Sequence, residues 1–120
     1  MVIQKMAAYE DVSAPVCEHF QRAAEIIGKR WTTQIVRALL QDVTRYSRLK
    51  LAVTGISDNL LSERLKELES EGIVARDVTP DTPVRVDYRL TEKGRDLAGA
   101  IEALAGWAER WATATSASRG

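Results

Sequence analysis

The chain has 120 residues, enough for one domain with a modest core. Its composition is 45% hydrophobic and 28% charged, and no apolar run approaches the roughly 20 residues of a bilayer span, so a soluble cytoplasmic protein is expected and a membrane partner is not. Met1–Met6 lacks a signal peptide's apolar stretch, and the single cysteine, Cys17, excludes an intrachain disulfide.

Net charge is zero, but its distribution is uneven. Between Lys29 and Lys50 stand six basic residues (Lys29, Arg30, Arg37, Arg45, Arg48, Lys50) against one acid, Asp42. Residues 1–28 and 51–72 are net acidic, and the remainder balances. A phosphate-binding surface needs only a local positive patch, because charge acts over about 8–10 Å at physiological salt. A solvated charged face is the competing reading of the same segment.

In chain order, residues 1–14 show no period and are expected to form a flexible arm. Phe20, Ala23, Ala24 and Ile27 recur at helical spacing, and Gly28 ends that helix. Trp31, Ile35, Val36, Leu39 and Leu40 form a second stripe, which gives Trp31 a core role. Thr44 is the expected N-cap of a short third helix carrying Tyr46, Leu49 and Val53, closed by Gly55. Ser57 caps a fourth helix. Successive 100° steps gather Leu61, Leu65 and Leu68 on one face, with Leu60 on their flank, and put Asn59, Ser62 and Lys66 on the opposite face. Arg64 projects on the apolar side and is expected to find an ion-pair partner there. Gly72 stops the helix.

The period then changes to two. Residues 73–78 and 84–90 read as strands, and Thr79-Pro80-Asp81-Thr82-Pro83 as an exposed hairpin tip, because proline cannot donate to a ladder. Thr91 is the expected cap of one last long helix. Its Leu97, Ile101, Leu104, Ala108 and Trp111 make a heptad-like seam, widened by Trp107. Residues 113–120 are small and polar and are expected to fray.

The order four helices, hairpin, helix predicts a mainly α fold with a small β-hairpin wing (α+β). It is a winged helix-turn-helix over residues 15–112, with an N-terminal arm and a long C-terminal dimerisation helix. The fourth helix, with its apolar back and polar front, is suited to enter the major groove. Asn59 can read adenine, Ser62 a base edge or phosphate, and Lys66 phosphate or guanine. Arg45, Tyr46, Arg48 and Arg85 are expected on phosphates or the minor groove, and Lys29, Arg30 and Ser57 complete the expected DNA-binding set.

Four segments make the resemblance specific: Cys17 ahead of the first helix; Ile27-Gly28-Lys29-Arg30-Trp31-Thr32; Gly55-Ile56-Ser57 with Leu61–Gly72; and Val86-Asp87-Tyr88-Arg89-Leu90-Thr91-Glu92-Lys93-Gly94. Over residues 15–111 the chain resembles the HxlR family of bacterial winged-helix regulators. The resemblance implies a homodimer on a palindromic operator, with the wing on the minor groove or backbone. Two departures stand out: a single Gly28 where the family has a doubled glycine, and Arg48 where it has an acidic residue.

The dimer interface is expected from Leu97, Ile101, Leu104, Ala108 and Trp111 packed with Phe20 and Ala24 of the first helix. Cys17 stands at a helix start, where the dipole favours a thiolate. It also occupies the position that electrophile- and oxidant-responsive members of the family use for sensing. A redox role with a small-molecule or electrophile effector is therefore weighed against a small, partly buried apolar residue. His19 lies beside Cys17 and Glu18 without a further ligand pair, so no metal is read there, and no cofactor is implied. No nucleophile-base-acid set or phosphate loop suggests an enzyme. The alternative from another class is a winged helix used only for protein–protein contact.

Overall fold

The computed structural model describes residues 14–119, with side chains through Ala112. The elements are α1 (Glu18–Ile27), α2 (Thr32–Leu40), α3 (Tyr46–Ala52), α4 (Asp58–Ser70), β1 (Val74–Thr79), β2 (Arg85–Leu90), α5 (Glu92–Arg95) and α6 (Ala98–Arg119). This is the mainly helical fold with a two-stranded antiparallel hairpin that the sequence predicts. The expected arm lies outside the described residues except for Ala14.

The core forms where the apolar stripes of α2, α3 and α4 meet the hairpin base. Ile35, Val36, Leu39, Leu49, Leu61, Leu65, Leu68, Ile73 and Val74 are all buried, with Tyr88 and Leu90 of β2 closing one side. At about 1.5–3 kcal/mol for each large buried side chain, this cluster dominates the stability of the domain.

Local signals set the boundaries. Ser57 Oγ accepts from Leu60 N–H at 3.2 Å, which caps α4. Gly72 follows its C-terminus at φ 73°, in the left-handed region where glycine carries no Cβ penalty. Gly55, at φ 95°, makes the α3–α4 turn. A Cβ there would meet the Trp31 ring, so that indole lies under the turn. Trp31 itself is left-handed at φ 81° and half-buried, as its core reading expects. The α1–α2 turn that carries Trp31 is held from α4, since Arg64 Nε donates to the Arg30 carbonyl at 2.9 Å.

Three expectations are corrected. Arg45, not Thr44, is the N-cap of α3. Thr44 instead serves the sheet: its carbonyl accepts from Tyr88 N–H at 2.8 Å and its hydroxyl donates to Asp87 at 3.2 Å. The last helix is not continuous from Thr91. Thr91 Oγ1 accepts from Gly94 N–H and donates to the Gly72 carbonyl at 2.6 Å, so it caps only the four-residue α5. Gly94 is pressed against the Ile73 carbonyl, and the chain turns through Asp96–Leu97 before α6 begins.

That bend produces the third correction. Leu97 is partly buried against the core, and Ile101 is only 4% exposed within the single chain, so this end of the seam is spent largely inside the chain. α6 crosses α2 there, and Arg37 Nη1 meets Glu102 Oε1 at 3.0 Å. Leu104, Ala108, Trp107 and Trp111 lie farther along α6 and are exposed. The α6 backbone is helical to Arg119, past Ala112. Residues 112–119 contain neither proline nor glycine, so no local signal ends the helix there.

Candidate nucleic-acid interface

Helix α3, the Gly55 turn and α4 form a helix-turn-helix. The apolar face of α4 is buried, which leaves Asn59, Ser62, Glu63, Lys66 and Ser70 exposed. Two edges of α4 are anchored. Towards α3, Tyr46 Oη donates to the Asp58 carbonyl at 3.2 Å and lies 2.9 Å from Ser62 Oγ, while Lys50 Nζ approaches Asp58 at 4.0 Å. Towards α1, Lys29 Nζ meets Glu67 at 2.7 Å and Arg22 is bidentate to Glu71 at 2.9 and 3.2 Å. Arg64, 15% exposed, pairs with Glu67 at 3.2 Å, the half-buried ion pair expected of it. The Lys29 hydrogen bond, reinforced by Arg64, holds the Glu67 carboxyl below its ordinary range.

The wing is tied to α3 through Asp87. Arg45 bridges Asp87 by backbone pairing, Thr44 donates to one carboxylate oxygen, and Arg85 Nε donates to the other at 2.7 Å. The Arg85 bond is the main reason that Asp87 titrates below its usual value. Asp77 lies directly opposite Asp87 in the strand register and is met by Arg89 at 3.0 Å. Without those arginines the two facing carboxylates would repel. A groove of about 600 Å³ runs between the start of α3 and the wing tip, lined by Arg45, Tyr46, Ser47 and Arg85 among others.

The expected DNA-binding residues therefore separate into groups. Asn59, Ser62 and Lys66 are exposed on α4, Arg45 and Arg85 line the groove between α3 and the wing, and Arg48 is exposed on α3. Arg48 and Lys66 make no ion pair with the described residues. Lys29 is engaged with Glu67. The Arg30 guanidinium stacks 4.7 Å from the Trp31 ring. The Ser57 hydroxyl is committed to its cap, and Tyr46 to α4. Sequence reasoning missed Asp87 and Thr44. The available signal was an aspartate inside a strand flanked by arginines two residues away on either side.

The HxlR-like helix-turn-helix profile matches residues 26–116. The chain belongs to the HxlR-like family. It is 47% identical over 96 residues to the Bacillus subtilis HTH-type transcriptional regulator YvaP, covering 80% of this chain and 89% of that one. It is 38% identical over 96 residues to the Bacillus subtilis HTH-type transcriptional regulator YodB, covering 80% and 86%. Among solved structures, diamide-treated YodB superposes with a TM-score of 0.65 at 39% identity, covering 81% of this chain and 96% of that one. The redox regulator HypR in its oxidised form superposes with a TM-score of 0.71 at 29% identity, covering 76% and 94%. This HxlR-like chain is a winged-helix transcriptional regulator, not an enzyme. No helix among its described residues is long and apolar enough to cross a membrane. No group of three metal-ligating side chains occurs among them.

Cys17 is exposed and stands at the N-cap of α1, where its carbonyl accepts from Gln21 N–H at 3.0 Å. No α1 side chain is fully buried, and only Ile26 and Ile27 pack on the core. Phe20 is 67% exposed and Ala23 and Ala24 are exposed too, as is Val16 just before the helix, so the apolar stripe of α1 is uncovered in the single chain up to Ile27.

Proposed function

We propose that this regulator binds a palindromic DNA operator as a homodimer in the cytoplasm. Helix α4 lies in the major groove, with Asn59, Ser62 and Lys66 facing the bases. Arg45, Arg48 and Arg85 rest on phosphates or the minor groove. The observation that carries this reading is the open polar front of α4 beside flanking arginines, in a helix-turn-helix whose other α4 edges are closed. Lys29, Arg30, Ser57 and Tyr46 act one step back, by fixing α4 and the turns beside it. The test is footprinting on DNA flanking the protein's own gene, followed by Asn59→Ala and Lys66→Ala. Asn59→Ala relaxes one base position, while Lys66→Ala weakens all sequences and lowers the salt slope by about one per site. Unchanged operator affinity in both variants at physiological salt refutes the assignment of α4.

The homodimer is supported by the uncovered stripe of α1 and the exposed Leu104, Trp107, Ala108 and Trp111 of α6. Phe20 and Ala24 face the partner, and two α4 helices then sit about 34 Å apart. Cys17 serves as a thiol switch for an oxidant or electrophile. Its exposure at the cap of the same helix supports this, as do two solved relatives described as diamide-treated and as an oxidised redox regulator. Operator binding before and after diamide or a quinone, in wild type and Cys17→Ser, decides it: equal responses remove Cys17 from the role.

A further inference from the structure

On α4, Ser62 is the only expected base reader whose hydroxyl is engaged by another side chain. Its partner, Tyr46, has one hydroxyl proton to give. That proton is directed to the Asp58 carbonyl, which can only accept, at 3.2 Å. Either hydroxyl could donate across the 2.9 Å contact with Ser62 Oγ; for Tyr46 to keep its bond to Asp58 at the same time, the serine must be the donor. With its single proton turned back towards α3, Ser62 presents only lone pairs to the open face. The tyrosine is itself held from behind, since its ring lies 6.4 Å from that of Tyr88, a buried residue of β2.

We propose that Tyr46 is a positioning residue that restricts Ser62 to accepting, so that Ser62 selects a base bearing an exocyclic amino group. The proposal rests on α4 being the recognition helix. In the major groove, adenine N6 and cytosine N4 are donors, whereas guanine O6 and N7 and thymine O4 are acceptors. On the strand that Ser62 faces, adenine or cytosine is bound and guanine or thymine meets lone pair against lone pair. A free serine hydroxyl turns to suit either kind of edge and gives no such division. The groove code is therefore set by a residue outside the recognition helix, through a hydrogen bond that no base touches.

The test is binding selection from a pool of randomised DNA duplexes, read by sequencing, with wild type, Ser62→Ala, Tyr46→Phe and Lys66→Ala. Wild type is expected to favour adenine or cytosine over guanine or thymine by about fivefold at one position per half-site. Ser62→Ala removes that preference. Tyr46→Phe keeps the ring on Tyr88 but frees the serine proton, so the ratio falls towards one at that position while every other position is unchanged. A purely structural role for Tyr46 instead lowers affinity across the pool without altering that ratio, and so overturns the proposal. Wild-type selection of guanine or thymine at the position sensitive to Ser62→Ala overturns it too, whether or not Tyr46→Phe folds. If neither Ser62→Ala nor Lys66→Ala changes selection or affinity, the recognition-helix reading fails and takes this proposal with it. If Lys66→Ala weakens binding and Ser62→Ala leaves every preference intact, only the proposal fails.

Discussion

The salt dependence of operator binding follows from which cations the fold leaves uncommitted. Each phosphate neutralised releases counterions and adds about −0.9 to the slope of log K against log salt. Arg48 and Lys66 are uncommitted, whereas Arg45 and Arg85 stand around one carboxylate, Asp87, and supply one net charge between them. That makes about three charges per protomer and six per dimer, for a slope of about −5. Counting every cation that the sequence nominates, with Lys29 and Arg30 included and Asp87 ignored, gives about twelve and a slope of about −11. Raising salt from about 50 to 200 mM then weakens binding by roughly a thousandfold in the first case and more than a millionfold in the second. Fluorescence anisotropy with a labelled operator measures the slope directly, and Arg48→Gln should make it shallower by about two for the dimer. A slope steeper than about −8 means that cations paired in the fold, Lys29 with Glu67 or Arg85 with Asp87, leave their carboxylates to reach DNA, and one shallower than about −2 means that this face is not the interface.

Phe20→Ala removes an exposed ring from α1, and truncating about 100 Å² of apolar surface on each protomer weakens the dimer roughly a thousandfold; equal sedimentation of variant and wild type refutes that placement. Ser57→Ala loses the α4 cap and lowers stability by about 0.5–2 kcal/mol, whereas Ser57→Asp retains it, both read by thermal melting. Gly94→Ala drives a methyl group into the Ile73 carbonyl and costs roughly 1–3 kcal/mol, so an unchanged melting temperature contradicts the tight packing of α5. Both Glu67 and Asp87 have lowered folded values, so their stabilisation is present above the ordinary carboxylate range and is lost as pH falls through the lowered values. Asp87→Asn should therefore flatten the acid limb of a pH–stability curve, and an unchanged limb refutes the assignment.

Much of the fold was legible because α2, α3 and α4 each present one stripe to one core, and periodicity reports exactly such one-sided burial. Ser57, Gly55 and Gly72 punctuate those helices by local chemistry alone. What escaped the sequence was nonlocal. The break after α5 depends on Gly94 meeting the Ile73 carbonyl, a contact between segments about twenty residues apart. The α6 seam shows an unbroken apolar stripe, yet the core takes Ile101 and part of Leu97 while Leu104 and Ala108 stay exposed, and no one-dimensional period says where one neighbour ends. Likewise the basic segment from Lys29 to Lys50 was real as a sum. Lys29, Arg37 and Lys50 are each met by an acid from another element, so the uncompensated positive charge is less than the segment's sum.

The ion pairs that narrow that surface also bear on how a signal at α1 reaches DNA. One side of α1 is uncovered and apolar, with Cys17 at its cap. From its other side Arg22 reaches Glu71, and Lys29 in the following turn reaches Glu67. The proposed dimer face and the ties to the proposed recognition helix thus meet at one helix. An exposed pair contributes only about 0–1 kcal/mol, and Arg22 is itself largely exposed, so the link to α4 is soft. Arg64 is different: shielded from water and paired with Glu67 on its own helix, it ties the Arg30 carbonyl to α4. A rotation of α1 in the proposed dimer therefore has two outcomes. If it spares the Arg64 junction, the outer pairs break at little cost and α4 stays. If it moves the turn at Arg30–Trp31, α4 goes with it. Only the second changes the spacing of the two α4 helices in the proposed dimer, so under the proposed thiol switch the turn held by Arg64, rather than the outer pairs, is the junction that Cys17 has to move.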